Sequence, residues 1–164
     1  MKRSTLRILT THTGSLPRPD DLLGLLRAKE EGRLTDRAAF DDCVRRAVAG
    51  VVRRQSEAGV DVVNDGEQGK VDYSTYVTDR LTGFDGESIG RRGLDVTEFP
   101  EFSARSFTAP FQKRPACTGP IAWKNWPEVE KDIANLKAAV DGVRAEEVFM
   151  TSVSPGQKIG RAHV

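Results

Sequence analysis

The chain has 164 residues, of which 38% are hydrophobic, and this is enough apolar material for one domain of ordinary size. Its 25 basic and 24 acidic residues leave a formal net charge of +1, so the total charge indicates no surface for nucleic acid or acidic membranes. No apolar run reaches the roughly 18 to 20 residues of a membrane span and no secretory leader is evident, so we expect a cytoplasmic protein without membrane or nucleic-acid partners.

A short apolar strand is predicted at residues 6–9, and it leads directly into a polar loop. This loop, residues 10–19 (TTHTGSLPRP), combines hydroxyl side chains with a glycine and two prolines. A strand that ends in such residues and is followed at once by a helix leaves N–H groups and hydroxyls facing a shared crevice. We therefore interpret the loop as a ligand-binding segment of an α/β protein.

Two amphipathic helices are predicted next. The first begins at Asp20 or Asp21, carries four leucines and ends near Gly32. The second begins after Thr35 and ends at Gly59, and it places apolar residues on one face at spacings of three and four. The residues of this predicted core face are Phe40, Val44, Ala47, Val48 and Val51.

A second buried strand is predicted at residues 60–63, and it also ends in a polar loop, residues 64–70 (NDGEQGK). A helix is predicted over residues 74–81. The segment from Gly83 to Ala109 has a weak pattern, which is typical of an excursion near a site or of a mobile insertion, and we favour the excursion.

The last third of the chain repeats the order of strand and helix. A third strand is expected at residues 114–118 and a fourth at residues 147–153. Between them, Pro127 fits the first turn of a helix. The predicted core face of this helix contains Val129, Ile133, Leu136 and Val140.

This alternation of strand, loop and helix predicts an α/β fold with a parallel sheet and right-handed crossovers, either doubly wound or a (β/α) barrel. The loop after the first strand lacks the G-x-G-x-x-G pattern, and the chain contains no G-x-x-x-x-G-K-S/T pattern. Dinucleotide binding and P-loop chemistry therefore lose their best sequence support.

Three motifs together resemble those of the cobalamin-independent methionine synthase family, in particular its C-terminal catalytic barrel and the stand-alone archaeal proteins built like it. Residues 11–19 (THTGSLPRP) are similar to the opening T-x-x-G-S-F/L-P motif, residues 59–67 (GVDVVNDGE) to the second strand with its terminal G-E, and residues 117–120 (CTGP) to the T-G-P turn. The resemblance implies a parallel (β/α) TIM-type barrel. Because such a barrel takes about 250 residues, residues 1–158 would form about its first half.

The resemblance also implies an activity, a zinc-dependent transfer of the methyl group of 5-methyltetrahydrofolate to the thiol of homocysteine, which gives methionine. Zinc would lower the pKa of the thiol so that the thiolate attacks the methyl group. Gly14 and Ser15 would hold the amino-acid carboxylate, and Glu67 would pair with the ammonium group. His12 is a further candidate contact, although a histidine at a strand end more often makes a structural hydrogen bond.

Simpler interpretations stand beside these roles. Glu67 could be a solvated acid in a glycine-rich loop, and Ser15 could serve only as a cap of the turn before Pro17. Cys43 and Cys117 are too dispersed for a disulfide framework or a metal knuckle, so we expect reduced thiols.

The resemblance places the zinc ligands, a histidine, two cysteines and usually a glutamate, on later strands beyond residue 158. No catalytic residue and no metal ligand is therefore expected within this half, and we expect the isolated chain to be inactive. Residues 159–164 (IGRAHV) are the translation of ATC-GGA-AGA-GCA-CAC-GTC, which resembles a sequencing adapter. We therefore predict that this segment is a read-through tail.

Three other functions stay open. A related alkyl transferase of the epoxyalkane:coenzyme M type would act on another thiol, and its sulfonate substrate would need an arginine where an amino acid needs Glu67. A uroporphyrinogen decarboxylase-like enzyme would share the barrel without a metal and would use arginines such as Arg18. A non-catalytic fragment or binding module would keep the loops without the chemistry.

Overall fold

A computed structural model describes four stretches of the chain, namely residues 2–72, 76–85, 94–106 and 115–153. They belong to two compact units, of which the first contains Met1–Tyr76 and Asn125–Val153 and the second contains Val77–Lys124. The predicted read-through tail at residues 159–164 lies outside the described residues.

The described residues contain five α-helices, one turn of 3-10 helix and four short strands. The helices are α1 (Asp20–Glu30), α2 (Arg37–Glu57), α3 (Leu94–Glu98), α4 (Pro100–Ser106) and α5 (Trp126–Val140). The strands are β1 (Val62–Val63), β2 (Phe84–Asp85), β3 (Ala116–Cys117) and β4 (Glu147–Val148). Within these described stretches, no helix combines the length and the hydrophobicity needed to cross a bilayer.

Helix α2 confirms the prediction of its start, its end and its buried face. The Asp36 side chain accepts a hydrogen bond from the N–H group of Ala39 at 2.9 Å and so caps the first turn. Gly59 follows the last turn with a φ of 80°, a conformation that ends a helix and favours glycine. All five predicted core residues are buried, and Cys43 and Val52 extend the same face.

Helices α1 and α5 both pack against α2. Helix α1 contributes the buried leucines Leu22 and Leu26, in agreement with the prediction from its leucine pattern. In α5, Leu136 is buried as predicted, but Ala139 joins it, whereas the predicted core residue Ile133 is exposed.

The side of α5 that packs on α2 contains Leu136 and Ala139 and also two residues that form ion pairs with α2. The Arg37 guanidinium pairs with Glu128, and Lys131 Nζ donates to Asp41 Oδ2 at 2.6 Å. Because Glu128 and Lys131 lie on one side of the helix, Ile133 is turned to the opposite side, where it meets solvent. The prediction for Ile133 is wrong because the spacing of apolar residues in the sequence does not show which side of α5 faces α2.

The sheet of the first unit is parallel. β1 pairs with β4, with Val62 opposite Glu147 and Val63 opposite Val148. On its other edge, Val62 forms a parallel bridge with Thr11. The described residues therefore have the predicted α/β character with β1 in the middle of three parallel segments, although they form small sheets and no closed barrel.

The first strand does not form where the sequence predicts it. Residues 6–9 form no strand, and Leu6 and Ile8 are 100% and 83% exposed, because nothing in the described part of the chain covers them. Pairing with β1 occurs later, at Thr11. The carbonyl of Thr10 accepts hydrogen bonds from the N–H groups of Asp61 and Val62, at 3.2 and 3.0 Å.

The strand predicted at residues 114–118 forms as β3 in the second unit, but it is not part of the parallel sheet. β3 pairs with β2 in antiparallel register. The backbone of Gly83 lies so close to that of Gly119 that a Cβ atom on Gly83 would be 2.6 Å from the Gly119 carbonyl oxygen. This close approach lets β3 pair locally with β2, so the prediction of a parallel β3 is wrong.

The middle of the chain is more regular than its sequence pattern predicts. Within the weakly patterned segment from Gly83 to Ala109, the structure describes β2, α3 and α4. The helix predicted over residues 74–81 is, among the residues described there, one turn of 3-10 helix at Tyr76–Asp79.

Candidate functional site

Two loops of the first unit meet at the carboxyl end of the parallel sheet. Ser15, which follows Thr11, donates a hydrogen bond from Oγ to Glu67 Oε2 at 2.6 Å. The N–H group of Leu16 donates to the carbonyl of Gly66 at 3.0 Å. Since ligand sites of α/β proteins commonly lie at this end of the strands, the contact brings Ser15 and Glu67 together where a ligand is expected.

A third loop, which follows β4, reaches the same carboxylate. Thr151 donates from Oγ1 to Glu67 Oε1 at 3.1 Å, so each carboxylate oxygen accepts a hydrogen bond from a different loop. The sequence pattern predicts strand through residue 153 and so hides this loop. The signal that could have found it is the pair of hydroxyl residues, Thr151 and Ser152, at the end of the predicted fourth strand.

Glu67 itself has an unusual conformation and environment. Its φ is 56°, and it is the only non-glycine residue with positive φ in the described ranges. This conformation costs about 1–2 kcal/mol, and such strain concentrates at functional sites. Glu67 is only 2% exposed, and among the described residues no cationic side chain forms an ion pair with its carboxylate. A buried carboxylate held by hydroxyls is a favourable place for a cationic ligand group.

Gly66 holds Glu67 in this position. Its φ is 57°, and a Cβ atom there would lie 3.1 Å from Leu16 Cβ and 3.2 Å from Val51 Cγ2. Any other residue would therefore be both strained and crowded. The packing of Leu16 and Val51 around Gly66 fixes the turn that carries Glu67.

A buried ion pair lies beside Glu67. Lys70 Nζ is 3.3 Å from Asp65 Oδ2, and the two side chains are 3% and 7% exposed. Lys70 also donates to the carbonyl of Thr151 at 2.8 Å, and its ammonium lies 5.4 Å from the centroid of the Tyr76 ring. Lys70 therefore neutralises Asp65, and it links the loop after β1 to the loop after β4.

Arg18 supports the loop after β1 through backbone contacts. Its guanidinium donates to the carbonyl oxygens of Glu67 at 2.9 Å and Lys70 at 2.8 Å. Burial lowers the pKa of the Arg18 guanidinium below its ordinary value, although the nearby Glu67 carboxylate acts in the opposite direction. The arginine considered for carboxylate recognition is thus engaged in holding the loop.

His12 and Gly14 have structural reasons for their positions in the first loop. The carbonyl of His12 accepts a hydrogen bond from Asn64 Nδ2 at 2.6 Å, which ties this loop to the loop after β1. His12 Nε2 is buried and has no hydrogen-bond partner among the described residues. Gly14 has a φ of 101°, a conformation that favours glycine. A ligand contact by either residue stays a prediction.

The described residues do not fit a zinc site. Within them, no three histidine, cysteine, aspartate or glutamate side chains converge so that they could hold a metal ion. Cys43 and Cys117 form no disulfide with each other in the structure. Cys43 Sγ lies 3.4 Å from Asp21 Oδ2, and burial raises the pKa of this thiol above its ordinary value.

Comparison with known proteins adds an independent finding. Residues 8–91 match the family model described as the catalytic domain of cobalamin-independent synthases. A methionine synthase from Thermococcus kodakarensis is 37% identical over 75 residues, which cover 46% of this chain and 22% of that protein. A 5-methyltetrahydropteroyltriglutamate–homocysteine methyltransferase from Nitratidesulfovibrio vulgaris is 33% identical over 144 residues, with 76% of this chain and 18% of that protein covered. No solved structure matches the chain significantly.

Proposed function

Because this chain belongs to the cobalamin-independent methionine synthase family, we propose that it carries the amino-acid-binding loops of a methyltransferase. The enzyme would transfer the methyl group of 5-methyltetrahydropteroyltriglutamate to the thiol of homocysteine. Residues 1–158, with parallel segments at Thr11, β1 and β4, would be the first part of its (β/α) barrel. One observation carries the proposal, namely the buried Glu67 carboxylate with two hydroxyl donors and no ion-pair partner among the described residues.

The ammonium group of an amino acid would supply the positive charge that the Glu67 carboxylate lacks among the described residues. It donates charge-assisted hydrogen bonds, which are stronger than those of a hydroxyl, and in a buried site they orient the ligand. When the ammonium binds Oε2 of Glu67, the Ser15 hydroxyl is released and can donate to the amino-acid carboxylate. The N–H groups of Gly14 and Ser15 would add further donors. This chain would thus hold homocysteine by both of its charged groups.

Zinc that activates the homocysteine thiol is part of the proposal, but its ligands would lie beyond residue 158. The described residues offer no set of ligands for it. The part of the reaction assigned to this chain is therefore the binding and orientation of the amino acid.

The charges of the site favour an amino-acid thiol over the alternatives. A sulfonate thiol such as coenzyme M would bring an anion towards the buried Glu67 carboxylate, where like charges repel. Arg18, which could have bound a sulfonate or the carboxylates of a tetrapyrrole, donates instead to backbone carbonyls.

Calorimetric titration of the chain under reducing conditions tests the role of Glu67. Glu67→Gln keeps the shape of the side chain but removes its charge, so the affinity for L-homocysteine should fall by about tenfold or more. The des-amino analogue 4-mercaptobutanoate should bind the wild-type chain and the variant equally.

Glu57→Gln, at the exposed end of α2, is the matched control and should leave both affinities unchanged. If the Glu67→Gln variant binds homocysteine as tightly as the wild-type chain does, Glu67 does not bind an ammonium group. The same conclusion follows if the variant loses affinity for both ligands to the same extent.

A further inference from the structure

Thr151 lies between a buried cation and a buried anion. Its Oγ1 is 3.5 Å from Lys70 Nζ and donates to Glu67 Oε1 at 3.1 Å, while its carbonyl accepts from the same ammonium at 2.8 Å. A threonine hydroxyl has one hydrogen and two lone pairs. Because the ammonium occupies the lone-pair side of the oxygen, the hydrogen is left for Glu67.

The Lys70 ammonium is itself held in place. It pairs with Asp65 at 3.3 Å and lies 5.4 Å from the centre of the Tyr76 ring. A hydroxyl polarised by a fixed cation is a better donor than an isolated one, so the bond from Thr151 to Glu67 is strengthened and its direction is set.

The hydroxyl between Lys70 and Glu67 also separates two charges. If Lys70 paired directly with Glu67, the carboxylate would be neutralised and would attract a ligand cation only weakly. Through Thr151, the lysine orients the carboxylate while Asp65 takes up its charge. The second oxygen, Oε2, is then left to the exposed residue Ser15.

We infer that Thr151 is a positioning residue for the ligand ammonium, because it pins Oε1 of Glu67 and so presents Oε2 to the amino acid. The inference rests on the proposed function and extends the amino-acid site to the loop after β4. Thr151 acts through Glu67, and the ion pair of Lys70 and Asp65 acts through Thr151.

Titrations of the full chain with L-homocysteine and 4-mercaptobutanoate test this role. Thr151→Val removes the hydroxyl and keeps the branched shape, so it should weaken homocysteine binding about tenfold without changing the affinity for the des-amino analogue. Thr151→Ser keeps the hydroxyl and should restore the wild-type affinity. Thr82→Val is the matched control, because Thr82 Oγ1 donates to the Pro120 carbonyl at 3.2 Å in the second unit, which contains none of the named site residues.

The outcomes separate this inference from the proposed function. If Glu67→Gln weakens homocysteine binding and Thr151→Val does not, Thr151 has no positioning role although the ammonium site stands. If Glu67→Gln itself has no effect, the proposed function fails. Circular dichroism monitors folding, and should the valine variant not fold, Thr151→Ala carries the same expectation. If a folded variant loses affinity for both ligands to the same extent, Thr151 has a general structural role and the inference is overturned.

Discussion

The two ends of the parallel sheet in the first unit carry charged residues in very different ways. At the amino end, the half-exposed Arg7 guanidinium donates two hydrogen bonds to Asp61, at 2.7 and 2.6 Å. At the carboxyl end, Asp65, Glu67 and Lys70 are all buried. Asp65 and Lys70 pair with each other, whereas the Glu67 carboxylate is held by neutral hydroxyls.

This difference separates an end held by exposed ion pairs from the end at which we propose that the ligand binds. Ion pairs in contact with water contribute little to stability and cost little to form. A buried carboxylate without a cation is unfavourable for folding, and the positive φ of Glu67 adds strain. Residues that reduce stability in this way persist where a ligand uses them, and the carboxyl ends of parallel strands are the usual place.

The largest effect on stability is expected when the buried ion pair of Lys70 and Asp65 is broken. Lys70→Met leaves Asp65 buried and unpaired, so the free energy of unfolding should fall by about 3–5 kcal/mol. Urea denaturation followed by circular dichroism measures the change, and adding Asp65→Asn should recover much of it. Arg7→Met is the matched control at the amino end and should have a far smaller effect. Equal losses for Lys70→Met and Arg7→Met would contradict the contrast between the two ends.

An intermediate effect is expected at the turn that carries Glu67. Gly66→Ala adds both backbone strain and crowding against Leu16 and Val51, so we expect a loss of about 2–4 kcal/mol in urea denaturation. Gly59→Ala serves as the control, because Gly59 also has a positive φ but its Cβ position has no atom within 4 Å. Only strain of about 1–2 kcal/mol is expected there. Equal losses would show that the packing around Gly66 is not tight.

The smallest effect concerns acid stability at the amino end. Hydrogen bonds from Arg7 and from the N–H group of Thr10 hold the pKa of Asp61 below its ordinary value of 3.8. A carboxylate with a lowered pKa in the folded state stabilises the protein above the unfolded-state pKa, and this stabilisation is lost as the pH falls. Thermal melts should therefore show a small deficit of Asp61→Asn at pH 7 that shrinks below about pH 4. A deficit that grows on acidification would be inconsistent with this titration.

The parts of the fold that depend on near neighbours in the chain could be predicted. The buried face of α2 follows from a period of three and four, and its ends follow from Asp36 and Gly59. The parallel pairing of β1 and β4 follows from the alternation of strand and helix. The contact between Ser15 and Glu67 could be expected because each lies in a polar loop and within a recognisable motif.

The remaining features depend on partners that are distant in the chain. Ile133 is exposed because α5 packs on α2 through the side that contains Leu136 and Ala139, and Ile133 lies on another side of the helix. β3 pairs with β2 in antiparallel register, and Gly83 permits the close approach to Gly119 beside this pair. The spacing of apolar residues in the sequence does not predict either of these long-range contacts.

The amino-acid sequence by itself determined helices α1, α2 and α5, the polar loops, the family and the two residues that face each other across the candidate site. Only the tertiary structure decided how those residues are held, through Thr151 on one carboxylate oxygen and through the pairing of Lys70 with Asp65 instead of Glu67. The reason is physical. Capping and turn formation act over a few residues, whereas the partner of a buried charge depends on which strand ends the fold brings within hydrogen-bonding distance.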